Sequence, residues 1–276
     1  MKLSDRIGID FGRRMPAEDA IAWAAARGVH FVDFQVDLAP NALESFDERR
    51  CAGLADAAAG HGINFGLHTL SAVNIAELSP FLRDAADAYL RGYIDVGARL
   101  GAQWIEIHGG YHFTSDYADR TAASLERIKR AVGYAETKGV QLLLENMNRE
   151  PDLAEVHYLG STLAEARSYF DRIDSPHLGW SFTVNHATLE PEGIDGFIDG
   201  MPFDRCREVR LADNNGKYEI HMQPGEGIID FGALFRRIEG LGFDGHYMSA
   251  YGTPDDMIVG RDFMVRAAAA AGVPVS

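Results

Sequence analysis

Short apolar runs, each carrying or ending in a polar residue, recur along the chain, separated by longer segments whose apolar residues return at helical spacing. Runs such as QWIEIH and QLLLE are too short and too bulky or β-branched for helices. They predict strands at Arg6–Asp10, Phe31–Val36, Asn64–His68, Trp104–His108, Gln141–Glu145, His177–Ser181, Glu208–Ala212 and Gly245–Ala250. The segments between them predict helices at Ala17–Arg27, Leu43–His61, Pro80–Leu100, Asp116–Lys138, Leu163–Arg172, Ile194–Ile198, Phe231–Leu241 and Asp255–Ala271. In the third helix Leu82, Ala86, Tyr89, Tyr93, Val96 and Leu100 form a stripe expected to pack on the sheet, which makes the two tyrosines core residues.

Strands that alternate with helices imply right-handed crossovers and a parallel sheet. Gly28, Gly62, Gly101, Gly139 and Gly242 each close a helix shortly before a strand, as expected of a residue that accepts the left-handed turn at a helix end. Ser79-Pro80 and Thr253-Pro254 read as helix starts, and Thr162-x-x-Glu165 fits a capping box. On the opposite face, segments 69–79, 109–115, 146–161, 182–192 and 213–229 are long for such connections, a length usual in functional loops. Eight units in this order predict an α/β chain folded as one (β/α)8 TIM barrel over residues 1–276. Active sites of such barrels lie at the carboxyl ends of the strands. Three predicted strands end there in a group that can bind metal or move a proton: His68, His108 and Glu145.

Charge and composition narrow the partners. A formal net charge of -15, with no basic cluster, argues against nucleic acid and for a small-molecule substrate. No run approaches the roughly eighteen apolar residues that cross a bilayer, so no membrane partner is predicted, and the opening MKLSDRIGID shows no export signal. The expected location is cytoplasmic; a homo-oligomer is compatible with the sequence. Two cysteines, Cys51 and Cys206, match no zinc spacing and read as buried thiols. GEG at Gly225–Gly227 reads as turn chemistry, and no nucleotide-cofactor fingerprint or Ser-His-Asp elbow is found.

The order LHT, EIHGG, LLLEN, a strand ending near His186, then RLADNNGKYEIHMQPGEGIIDF and FDGHY resembles the xylose isomerase-like barrels. These include sugar phosphate isomerases and epimerases and, more distantly, apurinic endonucleases, and the resemblance covers essentially the whole chain. It implies a divalent metal (Mn, Zn or Mg) on adjacent oxygens of a hydroxy-carbonyl substrate, with a carboxylate removing the neighbouring proton to give an enediolate. In the isomerases and epimerases the usual ligands are Glu, Asp, His and Glu on the fifth to eighth strands. Glu145 matches the first. Thr183 stands at the Asp of the Asp-x-x-His motif that ends in His186, Arg210 at the His, and Ala250 near the last Glu. A guanidinium there is expected to pair with Glu145 and fill the metal's place.

The endonuclease branch uses additional positions, matched here by His68, His108, His186 and His221, with Glu219 beside the last. Two alternative sites follow: His68, His108 and Glu145, and His186, His221 with Glu219. Glu145, His108 and His186 are the expected catalytic groups. Arg210, His112, Asn146, Lys217 and Trp180 are the expected substrate contacts, with Phe182 beside Trp180 in an apolar wall. His157 and Tyr158 are candidate lid residues, and His246 and Tyr251 candidate replacements for the lost base. The leading reading is an isomerase or lyase acting on a sugar-like or hydroxy-carbonyl compound. An accessory sugar-binding barrel without turnover, and a metal-dependent phosphodiester hydrolase, are the alternatives.

Overall fold

The computed structural model describes residues 1–276. Eight parallel strands close into a barrel: β1 Ile7–Asp10, β2 Phe31–Phe34, β3 Asn64–His68, β4 Trp104–Ile107, β5 Leu142–Glu145, β6 Leu178–Thr183, β7 Cys206–Leu211 and β8 His246–Ser249, with β8 pairing back onto β1. Outside it lie α1 Ala17–Ala26, α2 Glu48–His61, α3 Pro80–Leu100, α4 Tyr117–Lys138, α5 Leu163–Arg172, α6 Gly193–Gly200, α7 Phe231–Gly240 and α8 Pro254–Ala270. This is the expected (β/α)8 barrel. No helix is long and apolar enough to cross a membrane.

The main apolar core fills the shell between strands and helices, where Ile9, Val32, Leu67, Ile105, Leu144 and Phe182 face outward from their strands. The barrel interior differs. Its floor is a small apolar plug of Trp104, Leu143 and Met248 with Phe31 packed against it, and His246 stacks on the rings of Phe31 and Trp104. Because side chains alternate along a strand, two-residue steps climb from this floor to the mouth: Trp104, Glu106, His108 on one side, Leu143 and Glu145 on the next. A bulge makes the same climb possible on β7. Trp180 pairs with Cys206 but Ser181 with Glu208, so one residue is inserted. Cys206 stays in the outer core while Glu208 and Arg210 turn inward.

Helix ends follow local chemistry. The Asp47 carboxylate accepts from Arg50 N and starts α2 there, so the predicted Leu43–His61 helix is divided, with only a 3-10 turn at Leu43–Ser45. The Thr253 and Asp256 side chains form a reciprocal capping box on α8. Thr162 caps α5, but Glu165 accepts from Gly160 N rather than from the cap residue; the Ser79 hydroxyl makes no cap bond, and its backbone N–H donates to Glu77. All five expected helix-closing glycines have positive φ. On α3, Leu82 lies on the solvent side at 58% exposure, outside the buried stripe. The Tyr89 and Tyr93 hydroxyls both donate to Asp37. Beyond the predicted elements, Tyr111–Phe113 and Val156–Tyr158 pair as an antiparallel ribbon over the mouth, and Val184–Ala187 forms a helical turn directly after β6.

Candidate functional site

At the carboxyl mouth the strand-end residues meet around a cavity of about 620 Å³, lined mainly by polar side chains. His68 Nε2 lies 3.2 Å from His108 Nε2, which lies 3.0 Å from Glu145 Oε2. The Thr69 hydroxyl donates its single proton to the Glu106 carbonyl at 3.0 Å, so it accepts from His108 Nδ1 at 3.1 Å. Burial lowers the His108 pKa against the pull of Glu145 and favours the neutral ring. Its Nδ1 is fixed by Thr69, and its Nε2 faces His68 and Glu145. Burial alone would raise the Glu145 pKa, but His108 and His186, with Arg210 farther off, hold it well below the usual range. Thr183 Oγ1 donates to its other oxygen at 2.5 Å.

A second cluster lies beside the first. His186 is on the turn after β6; Glu219 and His221 come from the long loop after β7. Asp213 ties that loop down by accepting from the backbone of Gly225, Gly227 and Ile229, which gives the GEG segment its turn role. His186 Nδ1 donates to the Asn146 carbonyl at 2.9 Å and His221 Nδ1 to that of Ala250. The Nε2 atoms of both rings then face Glu219 Oε1, at 3.3 and 2.8 Å. Burial would lower the His186 pKa, yet Glu219 and Glu145 carry it up to about 9. Glu219 itself is pulled to about 2 against burial, first by His186. Glu145 Oε1, 3.4 Å from His186 Nδ1, joins the two clusters.

Beneath them Arg210 does not do what the sequence led us to expect. It makes no contact with Glu145. Its guanidinium is gripped instead by four carboxylates, Asp10 at 2.5 Å, Asp33 at 2.9 Å, Glu106 at 2.5 Å and Glu208 at 3.0 Å. Ser181 Oγ lies 2.8 Å from Glu106 and 3.1 Å from Glu208, and its one proton cannot serve two ionised carboxylates. Of the two, Glu106 is the one that more readily holds a proton: burial, then the charges of Glu208 and Glu145, push its pKa well up against the pull of Arg210. Burial and Asp10 likewise push Asp33 up. Against burial, Arg210 and His246 hold Glu208 at about 2. Sequence reading missed all four acids. The available signal was parity, because Glu106 and Glu208 stand two residues before His108 and Arg210 in runs that alternate inward and outward.

This arrangement decides which cation positions the chain supports. The ligand set usual in the isomerases and epimerases does not fit: Thr183 is engaged with Glu145, Arg210 is a fixed cation without a lone pair, and Ala250 offers no ligand. The two flanking clusters do fit. In each, two imidazole nitrogens and a carboxylate oxygen lie within 4.8 Å of one another, and in three of the four histidines a bond at Nδ1 turns Nε2 toward the others.

Several expected substrate contacts lie elsewhere. Trp180 is fully buried outside the barrel against Phe182 and Phe203, its indole N–H donating to Asn146 Oδ1. That Asn146 oxygen also accepts from Thr183 N, so Asn146 clamps β5 to β6 and does not face the cavity. Lys217 is exposed at the tip of its loop, and Tyr251 packs in the outer core. His246 is at the start of β8 and donates from Nε2 to Glu208 on the barrel floor, far below the mouth. His112 and His157 pair across the ribbon and line a neighbouring cavity; Tyr158 lines both.

The chain matches the family described as xylose isomerase-like TIM barrel over residues 21–268. It is 27% identical over 183 residues to an uncharacterized protein of Methanocaldococcus jannaschii, a match covering 63% of this chain and 59% of that protein's length. It is 23% identical over 243 residues to L-ribulose 3-epimerase of Methylomonas sp., covering 83% of this chain and 76% of the epimerase. The crystal structure of a D-tagatose 3-epimerase-like protein superposes with a TM-score of 0.82 at 19% identity, covering 99% of this chain and 98% of that one.

Proposed function

The chain belongs to the xylose isomerase-like TIM barrel family, and from that premise we propose that it moves a proton beside the carbonyl of a sugar-like hydroxy-carbonyl compound, as an isomerase. One observation carries this reading: Glu145, buried yet held ionised at the mouth, has a histidine at each oxygen, His108 at 3.0 Å and His186 at 3.4 Å. Glu145 accepts the proton from carbon. His186, which keeps its proton at neutral pH, returns one to oxygen or carbon. Epimerisation by two glutamates on opposite faces is disfavoured, because Ala250 replaces the second. A 1,2-shift needs transfer on one face only, and loss of a β-oxygen from the same enediolate would make the chain a lyase.

His68, His108 and Glu145 would hold one divalent ion, and Glu219 and His221, with His186 once its ring has given up a proton, another in place of the acid role of His186; bound there, such ions would stabilise negative charge on the substrate oxygens. The same two clusters give phosphodiester hydrolysis a claim. Against it, Thr183 engages Glu145 where the two clusters meet, Arg210 fills the barrel axis beneath them, and the chain's charge of -15 opposes a polyphosphate backbone. Incubation with ketoses and aldoses in D2O tests the proposal. Deuterium should enter beside the carbonyl with wild-type protein, and Glu145→Gln should slow its entry by about a hundredfold or more. Exchange that survives Glu145→Gln, or nicking of abasic DNA in its place, would reject the assignment.

A further inference from the structure

Beside the mouth cavity lies a second of about 610 Å³, and Tyr158 and Glu150 line both. The ribbon and the amino ends of α4 and α5 form its walls, with Glu190 at one side. Glu190 is only 7% exposed, and its Oε1 is buried with no hydrogen-bond partner. Leaving a buried carboxylate oxygen unpaired is costly unless a donor enters to meet it. Three neighbouring acids have partners: Glu165 accepts from the Tyr117 hydroxyl at 2.7 Å and from Gly160 N at 3.1 Å, Glu150 accepts from Asn148 at 2.8 Å, and Asp152 pairs with Arg149 at 2.9 Å.

The lining also selects the kind of donor. Carboxylates outnumber the single arginine here, which disfavours a phosphorylated or carboxylated ligand. Flat faces are present as well: the His112 ring stacks on His157 at 5.7 Å and meets Tyr117 edge-on at 4.8 Å. Acceptor oxygens beside aromatic faces suit an uncharged polyhydroxyl ring.

We infer that this second cavity is a subsite for a further, unphosphorylated sugar ring, so that the substrate is a disaccharide or glycoside of the reacting sugar. The inference rests on the proposed isomerase reading for what occupies the first cavity. Binding separates the two. In Glu145→Gln protein, which stops turnover, lactulose should bind about tenfold or more tighter than D-fructose by calorimetry. Adding Glu190→Leu should remove that advantage while D-fructose binding stays unchanged, and Glu190→Gln, which keeps an acceptor oxygen, should retain part of it. Tyr117→Ala, on the opposite wall, should also reduce it. Equal affinity for both sugars, binding of neither, or an advantage that persists in Glu190→Leu would overturn the subsite. Absence of deuterium exchange in wild type alongside Glu190-dependent lactulose binding would instead discard the reaction and leave the subsite standing.

Discussion

Glu106 and Glu208 both touch Arg210 and Ser181, yet their pKa values are displaced in opposite directions, and substitution should separate them. Glu208 is held at about 2, so its contribution is present above the unfolded carboxyl value near 4.5 and is lost as pH falls toward 2. Glu106 is pushed well above 4.5, so between that value and its raised one the folded state binds the extra proton and stability declines as pH rises. Glu208→Gln therefore breaks a buried pair and should cost about 3 kcal/mol at pH 7. Glu106→Gln replaces a group whose neutral form is favoured by its surroundings; it should cost less than Glu208→Gln and should flatten the decline in stability as pH rises. Urea melts of both variants from pH 3 to 9 check this, and matching losses at pH 7 would contradict the charge assignment. Such acids were hard to read in the sequence for a physical reason. A carboxylate within an apolar strand looks like an interruption until the inward parity of the strand and the partner across the barrel are known, and that partner, Arg210, lies 177 residues from Asp33.

At the level of elements, period and punctuation were legible because they are local. The eight strands were found within a few residues, the positive-φ glycines closed their helices as expected, and His68, His108 and Glu145 emerged at one mouth. The ribbon was not legible: its pairing of His112 with His157 joins two distant loops, and no spacing in either announces it. Nor was the inserted residue of β7, on which the inward turn of Glu208 and Arg210 depends. Glycine shows the same divide between local and distant causes. Gly66 on β3 leaves room for the barrel floor, since a Cβ there would sit 2.1 Å from the Trp104 ring, whereas Gly133 in α4 has nothing within 4 Å. Gly66→Ala should destabilise by about 1–3 kcal/mol or prevent folding, and Gly133→Ala should stabilise by about 0.5–1 kcal/mol by improving helix propensity. Thermal melts compare them directly, and a tolerated Gly66→Ala would mean that the floor is less tightly packed than its contacts indicate.

For the molecule as a whole, the question is how a barrel of this family keeps its carboxylates together with a cation built into the chain. Nη1 of Arg210 lies within 3.0 Å of Asp33, Glu106 and Glu208, three oxygens that themselves cluster as closely as a metal's ligands, so the guanidinium takes the place of an ion on the barrel axis. The interior is thereby charged and anchored by the chain itself, which leaves the flanking His68 and His186 clusters above it as the candidate ion positions. Arg210→His removes the fixed charge and supplies a neutral nitrogen among the four acids. Wild-type protein loaded with zinc or manganese and then desalted should retain at most two ions per chain, and Arg210→His one more. The added ion would have to offset the loss of charge pairing, so the variant should melt well below wild type in chelator and recover much of the difference with metal. Metal analysis and melting curves taken on the same samples test both halves of the argument. An Arg210→His protein with no additional ion and no chelator-sensitive melting would mean that the four acids tolerate an empty centre by taking up protons, and that the guanidinium is not standing in for an ion.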